Sequence, residues 1–392
     1  MKALVVHNFY RSANASGENL SVTDEIAGLR SLGWDVEVIS ADSDVIADSS
    51  QSLTQVALRT VHSSRSVRRT IDAIERFRPN VALIENLFPM HSPSVIRTLK
   101  RRGVPVAAGV RSYRMWCVAS SMYRNGKPCN DCVGSVANFP AVRHGCYQDS
   151  ALRSAPMAAS LRLHRSTFRQ IDAFLAVSEY VGGELRKAGM PADRIVVRPN
   201  FVPDPGTSPQ LDNPDFVFAG RLTDEKGLGL MIEAWKQSEV WKTSRLRVAG
   251  SGPLMDLVTG LDQGYRVEAL GLVDHLVLLD IVRASGVMVV PSMWPEPFGR
   301  GVIEAAALVR PSLVTNSGGL ASLVVDGETG WITEPTVGGL AAGFQRASKV
   351  DAQRSAGIAA RARFESNYTR EISVGVLHDT LSRLALQGAD LN

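Results

Sequence analysis

Two carboxylates in the segment EPFGRGVIEA, Glu296 and Glu304, stand eight residues apart on either side of a glycine-containing turn. Glu296 sits in a loop between Pro295 and Pro297, after the apolar run VMVVP, while Glu304 falls about one turn into a helix predicted from Gly301 onward. Side chains on a helix lean toward its N-terminus, so Glu304 can reach back toward the same mouth as Glu296. Two carboxylates so placed accept hydrogen bonds from vicinal diols, such as those of a ribose and a hexose. Phe298, Gly299 and Arg300 lead into that helix, and the free N–H groups of a helix start favour a phosphate or sugar oxygen. A second pair, Arg221 and Lys226 in AGRLTDEKG, follows the apolar run DFVFAG and precedes a helical pattern. Two cations at a helix mouth suit an anion; with Asp224 and Glu225 between them, surface ion pairing is the alternative.

The four cysteines form a third constellation. Cys117, Cys129, Cys132 and Cys146 give the spacing C-x11-C-x2-C-x13-C. Where disulfides are disfavoured, thiolates around a C-x2-C knuckle suit a structural zinc, with four reduced, packed thiols as the alternative. Such a site would brace a loop and do no chemistry. Other chemistries are poorly served. AGSGP places Met255 where a dinucleotide fingerprint needs its third glycine, and no Walker lysine or Gly-x-Ser-x-Gly elbow is present. Asp42 and Asp44 follow a strand away from the cationic pair and make a weak metal candidate.

The elements that position these residues alternate. KALVV, DVEVIS, VALIE, VPVAAGV and AFLAVS read as short strands separated by helical patterns, the first helix closing at Gly33. Five prolines between Pro199 and Pro214 read as a linker, after which DFVFAG, LRVAG, RVEALG and VMVVP restart the alternation. A chain of 392 residues with two such sets predicts an α/β protein of two doubly wound, Rossmann-like domains facing each other across a cleft. The boundaries read as 1–198 and 199–365, with a C-terminal helix, 366–392, completing the first domain. Ligands in such sheets bind at the carboxyl ends of strands, where the Arg221 and Glu296 loops fall.

Charge adds a partner. Thirteen basic residues face three acids between Arg59 and Arg124, whereas residues 199–365 carry fifteen basic residues against nineteen acids. A basic first domain suits an anionic acceptor or an anionic membrane face, with solvated helix faces as the alternative; sparse aromatics argue against nucleic acid. MKALVVHNFY lacks the features of a signal peptide and no apolar run is long enough to span a bilayer, so the expectation is a cytoplasmic protein.

The motifs together resemble retaining glycosyltransferases of the GT-B fold, family 4. Glu296 and Glu304 look like that family's E-x7-E motif, GRLTDEKG its diphosphate clamp, and Gly318 and Gly319 in TNSGGLASLVVDGETGWI its following glycine loop. NLFPMHSPSVIRTLKRRGVPV, SYRMWC, NGKPCNDC and VSEYVGGELRKAGMPADRIVVRPNFVPDPG resemble one bacterial branch with a Cys-rich loop in the N-domain. The resemblance implies a nucleotide-diphosphate sugar donor, no catalytic metal, and an acceptor held by the first domain. Glu304 would hold the ribose, Glu296 the donor sugar, and Arg221 and Lys226 the leaving diphosphate. Backbone N–H groups at Phe298 and Gly299 would orient the sugar, and Gly17 would approach the phosphates. The acceptor expected is anionic and lipid-linked or a polysaccharide precursor, met at the inner membrane surface by peripheral contact.

One position departs from the pattern: Arg111-Ser112 stands where that branch has His-Asn. Near C6 of a donor sugar, Arg111 would favour a uronic acid, because a guanidinium pairs bidentately with a carboxylate; the alternative is that it pairs with Glu85 or another acid of its own domain. Two other functions remain open at this stage, a catalytically silent GT-B protein that binds nucleotide sugar and a GT-B nucleotide-sugar epimerase.

Overall fold

The computed structural model describes residues 1–9, 17–42, 53–135, 137–206 and 213–389. The chain forms two compact units. The first comprises Met1–Met122, Asn130–Pro199 and Ser373–Asn392, and the second Tyr123–Cys129 and Asn200–Ile372.

In the first unit the strands are β1 (Lys2–Phe9), β2 (Asp35–Asp42), β3 (Val81–Ile84), β4 (Val106–Val110), β7 (Ala173–Ala176) and β8 (Ile195–Val197); the small antiparallel pair β5 (Tyr123–Arg124) and β6 (Lys127–Pro128), between β4 and β7 in chain order, falls in the second unit. The sheet runs β2-β1-β3-β4-β7-β8 and every pairing is parallel. A parallel sheet covered on both faces needs strands that are apolar throughout, and Ala3, Leu4, Val5 and Val6 of β1 are all fully buried. Val22, Ile26 and Leu29 of the Gly17–Ser31 helix pack on one face, at the spacing that aligns side chains on a helix. Leu377, Leu381 and Leu384 of the Arg370–Ala389 helix pack on the same cluster. The Trp34 indole N–H fixes that last helix by donating to His378 Nδ1 at 2.9 Å.

The second unit holds β9 (Phe216–Ala219), β10 (Leu246–Ala249), β11 (Val267–Gly271), β12 (Val287–Val290), β13 (Ser312–Thr315) and β14 (Gly330–Thr333). Its order is β11-β10-β9-β12-β13-β14, again parallel. Phe216, Trp235 and Phe344 anchor its core, their rings meeting edge to face with centroids 5.1 to 5.5 Å apart.

In this sheet the chain reverses its direction of growth between β9 and β12. That gap leaves a crevice at the strand ends, where doubly wound sheets hold ligands. The loops leaving β9 and β12 are pressed together here. Gly227 has φ of +74°, and a Cβ built on it would stand 1.9 Å from the Pro291 carbonyl oxygen. The Met293 N–H closes the contact by donating to the Glu225 carbonyl at 2.9 Å. Gly227→Ala therefore both strains the backbone and drives a methyl group into a carbonyl. It should cost at least about 2 kcal/mol, read as an earlier urea midpoint for the second unit; an unchanged midpoint would refute the close approach.

Candidate active site

The two loops bring Lys226 onto Glu296. Lys226 Nζ lies 2.5 Å from Glu296 Oε1 and 5.2 Å above the centre of the Trp294 ring. Ser292 Oγ donates to the same carboxylate oxygen at 2.7 Å, and the Ser292 carbonyl in turn accepts from Thr315 Oγ1 at 2.6 Å. The loop is pinned from β13 as well, since the Gly319 N–H donates to the Glu296 carbonyl at 2.6 Å. Gly318, with φ of +63°, must be glycine there, because a Cβ would lie 2.4 Å from that carbonyl.

Glu304 lies on the Arg300–Ala307 helix and is largely buried. Arg300 Nε donates to its Oε1 at 2.8 Å, and His275 Nε2 stands 3.6 Å from the same atom. Both carboxylates are thus held through Oε1, and among the described residues neither Oε2 accepts a side-chain hydrogen bond. Arg221 is mostly exposed and pairs with Glu225 at 3.1 Å. The Phe298 side chain is core, edge-on to Tyr368 with centroids 6.1 Å apart, so only its backbone is available to a ligand. Gly299 backs onto Leu320, which a Cβ would approach to 2.5 Å.

The first unit gathers a different cluster at its strand ends. Glu85 follows β3 and Arg111 follows β4; Arg111 Nη1 donates to Glu85 Oε2 at 2.8 Å and Nη2 makes a very short bond to Glu25. Arg198, fully buried, reaches the same Glu25 oxygen at 2.6 Å. Burial outweighs the nearby Arg111 charge and pushes the Glu85 carboxyl up to about 7. For Glu25 the balance goes the other way, because Arg111 and Arg198 both hold it and keep its pKa low. Burial lowers His7, on β1 close by, to about 4.

With this geometry in hand, the likeness to known proteins is specific. The family described as glycosyl transferases group 1 matches residues 205–363, and the glycosyl transferase 4-like domain matches residues 16–200. A glycogen synthase from Mycobacterium tuberculosis is 30% identical over 250 residues, 60% of this chain and 59% of that protein. A D-inositol 3-phosphate glycosyltransferase from Kineococcus radiotolerans is 32% identical over 166 residues, 36% of this chain and 38% of its own length. The chain therefore spans less than two thirds of these relatives. Among solved structures, sucrose-phosphate synthase of Thermosynechococcus elongatus superposes with a TM-score of 0.71 at 19% identity, covering 98% of both chains. Anabaena HepE, solved with UDP and glucose, superposes with a TM-score of 0.67 at 16% identity, over 98% of this chain and 100% of that one. These two likenesses show the fold.

This chain belongs to the GT-B glycosyltransferases.

Within that family frame, one of the two readings of Arg111 is overturned. Arg111 does not present a free fork to a donor sugar. Its side chain is 5% exposed, and both amino groups are taken by Glu25 and Glu85. The cause is its place at the end of a buried strand, among carboxylates that need a counter-charge. The zinc expected at Cys117, Cys129, Cys132 and Cys146 stays a proposal. All four are half-buried thiols, and among the described residues no three His, Cys, Asp or Glu side chains gather as metal ligands. Burial pushes the Cys117 thiol up, and backbone N–H groups of its own loop, from Ala119 to Met122, surround the sulfur.

Gly17 opens the first helix of this GT-B chain, while Ser16 and Asp44 lie outside the described residues. Sequence reasoning missed Ser292, Arg300 and His275 as partners of the two glutamates, and Trp294 as the ring under Lys226. Arg300 was within reach, four residues before Glu304, the spacing of a helical ion pair. The others meet their partners only through the fold.

Glu85 gives a test of the first-unit cluster. Its folded pKa lies above its unfolded value, so its contribution is fully present below the ordinary carboxylate range and is lost as pH rises toward 7. Glu85→Gln should remove that loss. Relative to wild type, the variant should gain about 2 to 3 kcal/mol in urea unfolding between pH 5 and pH 8; parallel profiles would show that Glu85 is charged in the fold at both values.

Proposed function

We propose that the chain transfers a hexosyl group from a nucleotide-diphosphate sugar to an acceptor, retaining the anomeric configuration and using no catalytic metal. The observation that carries this reading is the Lys226–Glu296 pair at the reversal point of the second sheet, beside a helix start that presents Glu304. Lys226 and Arg221 supply positive charge for a departing diphosphate. Glu304, steadied by Arg300, offers its other oxygen to the ribose hydroxyls, and Glu296 offers its own to the sugar. Backbone N–H groups at Phe298 and Gly299 orient that sugar, and the Gly17 helix start is a further candidate for a phosphate. The transition state is an oxocarbenium-like sugar next to a leaving diphosphate, so stabilising charge is the main task and no protein nucleophile is required. The UDP and glucose bound by Anabaena HepE are ligands of the kind this site would take.

The acceptor in this reading is anionic and lipid-linked, met by peripheral contact with a membrane. The Ser64–Phe77 helix supports it, with Arg65, Arg68 and Arg69 exposed on the side that also carries Asp72. No helix among the described residues is long and apolar enough to cross a membrane. A second reading, a silent nucleotide-sugar-binding protein, is favoured by one observation: the place of the family histidine is filled by Arg111, locked onto two carboxylates.

A panel of nucleotide sugars, assayed for nucleoside diphosphate release with and without EDTA, separates the two. Release that survives EDTA is expected for at least one donor. Glu304→Gln should raise KM for that donor about tenfold by removing ground-state hydrogen bonds, whereas Lys226→Ala or Arg221→Ala should lower kcat by about 10² to 10³. Binding of a nucleotide sugar with no release under any condition would leave the silent reading standing, and near-wild-type kinetics in all three variants would end the site assignment.

A further inference from the structure

The Ala151–Leu163 helix of the first unit is apolar on its outer side. Ser154, Met157, Ala158 and Leu161 face inward. Facing outward, at spacings of three and four that align them on one side, are Leu152, Ala155, Pro156, Ala159 and Leu163. A surface helix normally turns charged residues to water and keeps one apolar stripe for the core; this one has apolar stripes on both sides. The Leu53–Val61 and Phe139–Arg143 helices pack against it. The junction is fixed by Ser160 Oγ donating to the Thr60 carbonyl at 2.8 Å and by His164 Nε2 at 2.9 Å from the Val61 carbonyl. These neighbours add Leu58 and Phe139, so four large apolar side chains, 58% to 76% exposed, are carried on one three-helix group.

The surrounding charge is mostly of one sign. Residues 137–171 contain five arginines, among them Arg143, Arg153, Arg162 and Arg165, and a single acid, Asp149. Arg65 and Arg68 follow directly on the next helix. Exposed leucines and a phenylalanine with arginines beside them in the chain match a bilayer surface with anionic headgroups, where apolar side chains enter the acyl boundary and cations meet phosphates. A second copy fits worse, because a two-fold pairing of this face would set arginine against arginine.

We propose that the helices 53–61, 139–143 and 151–163 form a docking face for an anionic lipid bilayer, with Leu152 and Leu163 inserted. This deepens the reading of a lipid-linked acceptor, on which it rests for its purpose, by supplying the surface at which such an acceptor would be met. The docking itself needs no nucleotide sugar, so the two can fail separately.

The test is co-sedimentation of the full chain with vesicles of phosphatidylcholine alone and of phosphatidylcholine mixed equally with phosphatidylglycerol. Wild type should sediment with the mixed vesicles only, and less at high salt. Leu152→Ala with Leu163→Ala should weaken partitioning about tenfold or more, and Leu152→Glu with Leu163→Glu should abolish it. Both doubles should keep the wild-type melting temperature and vesicle-free nucleotide release, since neither side chain belongs to the donor site. Wild type indifferent to the mixed vesicles, double variants that bind like wild type, or a wild-type dimer dispersed by the glutamate pair would each overturn the docking face. Absence of nucleotide release from all of them would count against the transferase reading alone and leave the sedimentation result to decide this one.

Discussion

A parallel sheet buried on both faces leaves polar residues nowhere to go along its strands. Strand interiors must be apolar, and backbone groups are consumed by the ladder, so charged side chains collect in the loops beyond the strand ends. Both units obey this constraint, with opposite results. Beyond β9 and β12, Lys226, Arg221 and Glu296 stay in partial contact with solvent. Beyond β3 and β4, Glu85 and Arg111 are sealed in with Glu25 and Arg198. The open cluster can exchange its internal partners for a ligand; the sealed one holds elements in place.

The sealed cluster does so at a cost. Removing four charges from water is repaid only if the remaining lone pairs and protons are satisfied, and here Glu25 Oε2, Glu85 Oε1, Arg111 Nε and two nitrogens of Arg198 have no hydrogen-bond partner among the described residues. The raised Glu85 pKa is the electrostatic trace of that shortfall. In return the network joins the first helix, two strand ends and the place where the chain leaves the unit. Arg198 stands just before the crossing at Asn200, and Ser373, where the chain re-enters, donates from its hydroxyl to the Pro199 carbonyl at 2.7 Å. Exit and return are tied at one point.

Much of the fold was legible in the sequence because buried parallel strands are short apolar runs with little else to resemble. KALVV, VALIE and VMVVP became β1, β3 and β12. The strands that escaped notice carry weaker signals: β13 is four residues directly after Pro311, β14 opens on Gly330, and β8 is three half-buried residues at an edge. In the site, the closeness of Lys226 to Glu296, seventy residues apart in the chain, was suggested by two motifs and made by the fold. Arg111 follows the alternative that the sequence also offered, a pairing with Glu85. Sequence names that acid as a partner but not Glu25, which three-dimensional packing delivers to the same guanidinium.

The resting Lys226–Glu296 pair bears on how a donor would be taken up under the proposed reading. A lysine paired at 2.5 Å with a carboxylate cannot give its full charge to a diphosphate. A bound diphosphate brings more negative charge than one glutamate, and Lys226 sits at the surface of the pair, over the Trp294 ring, rather than beneath it. Transfer of the lysine to the diphosphate would then free Glu296 at the moment a sugar arrives beside it, leaving Ser292 to hold the carboxylate in place. The pair thus holds both groups in a net-neutral arrangement within the fold. Because the lysine's attraction to phosphate oxygens grows as negative charge builds on the departing diphosphate, the exchange favours the transition state more than the bound donor, which is the condition for catalysis rather than mere binding.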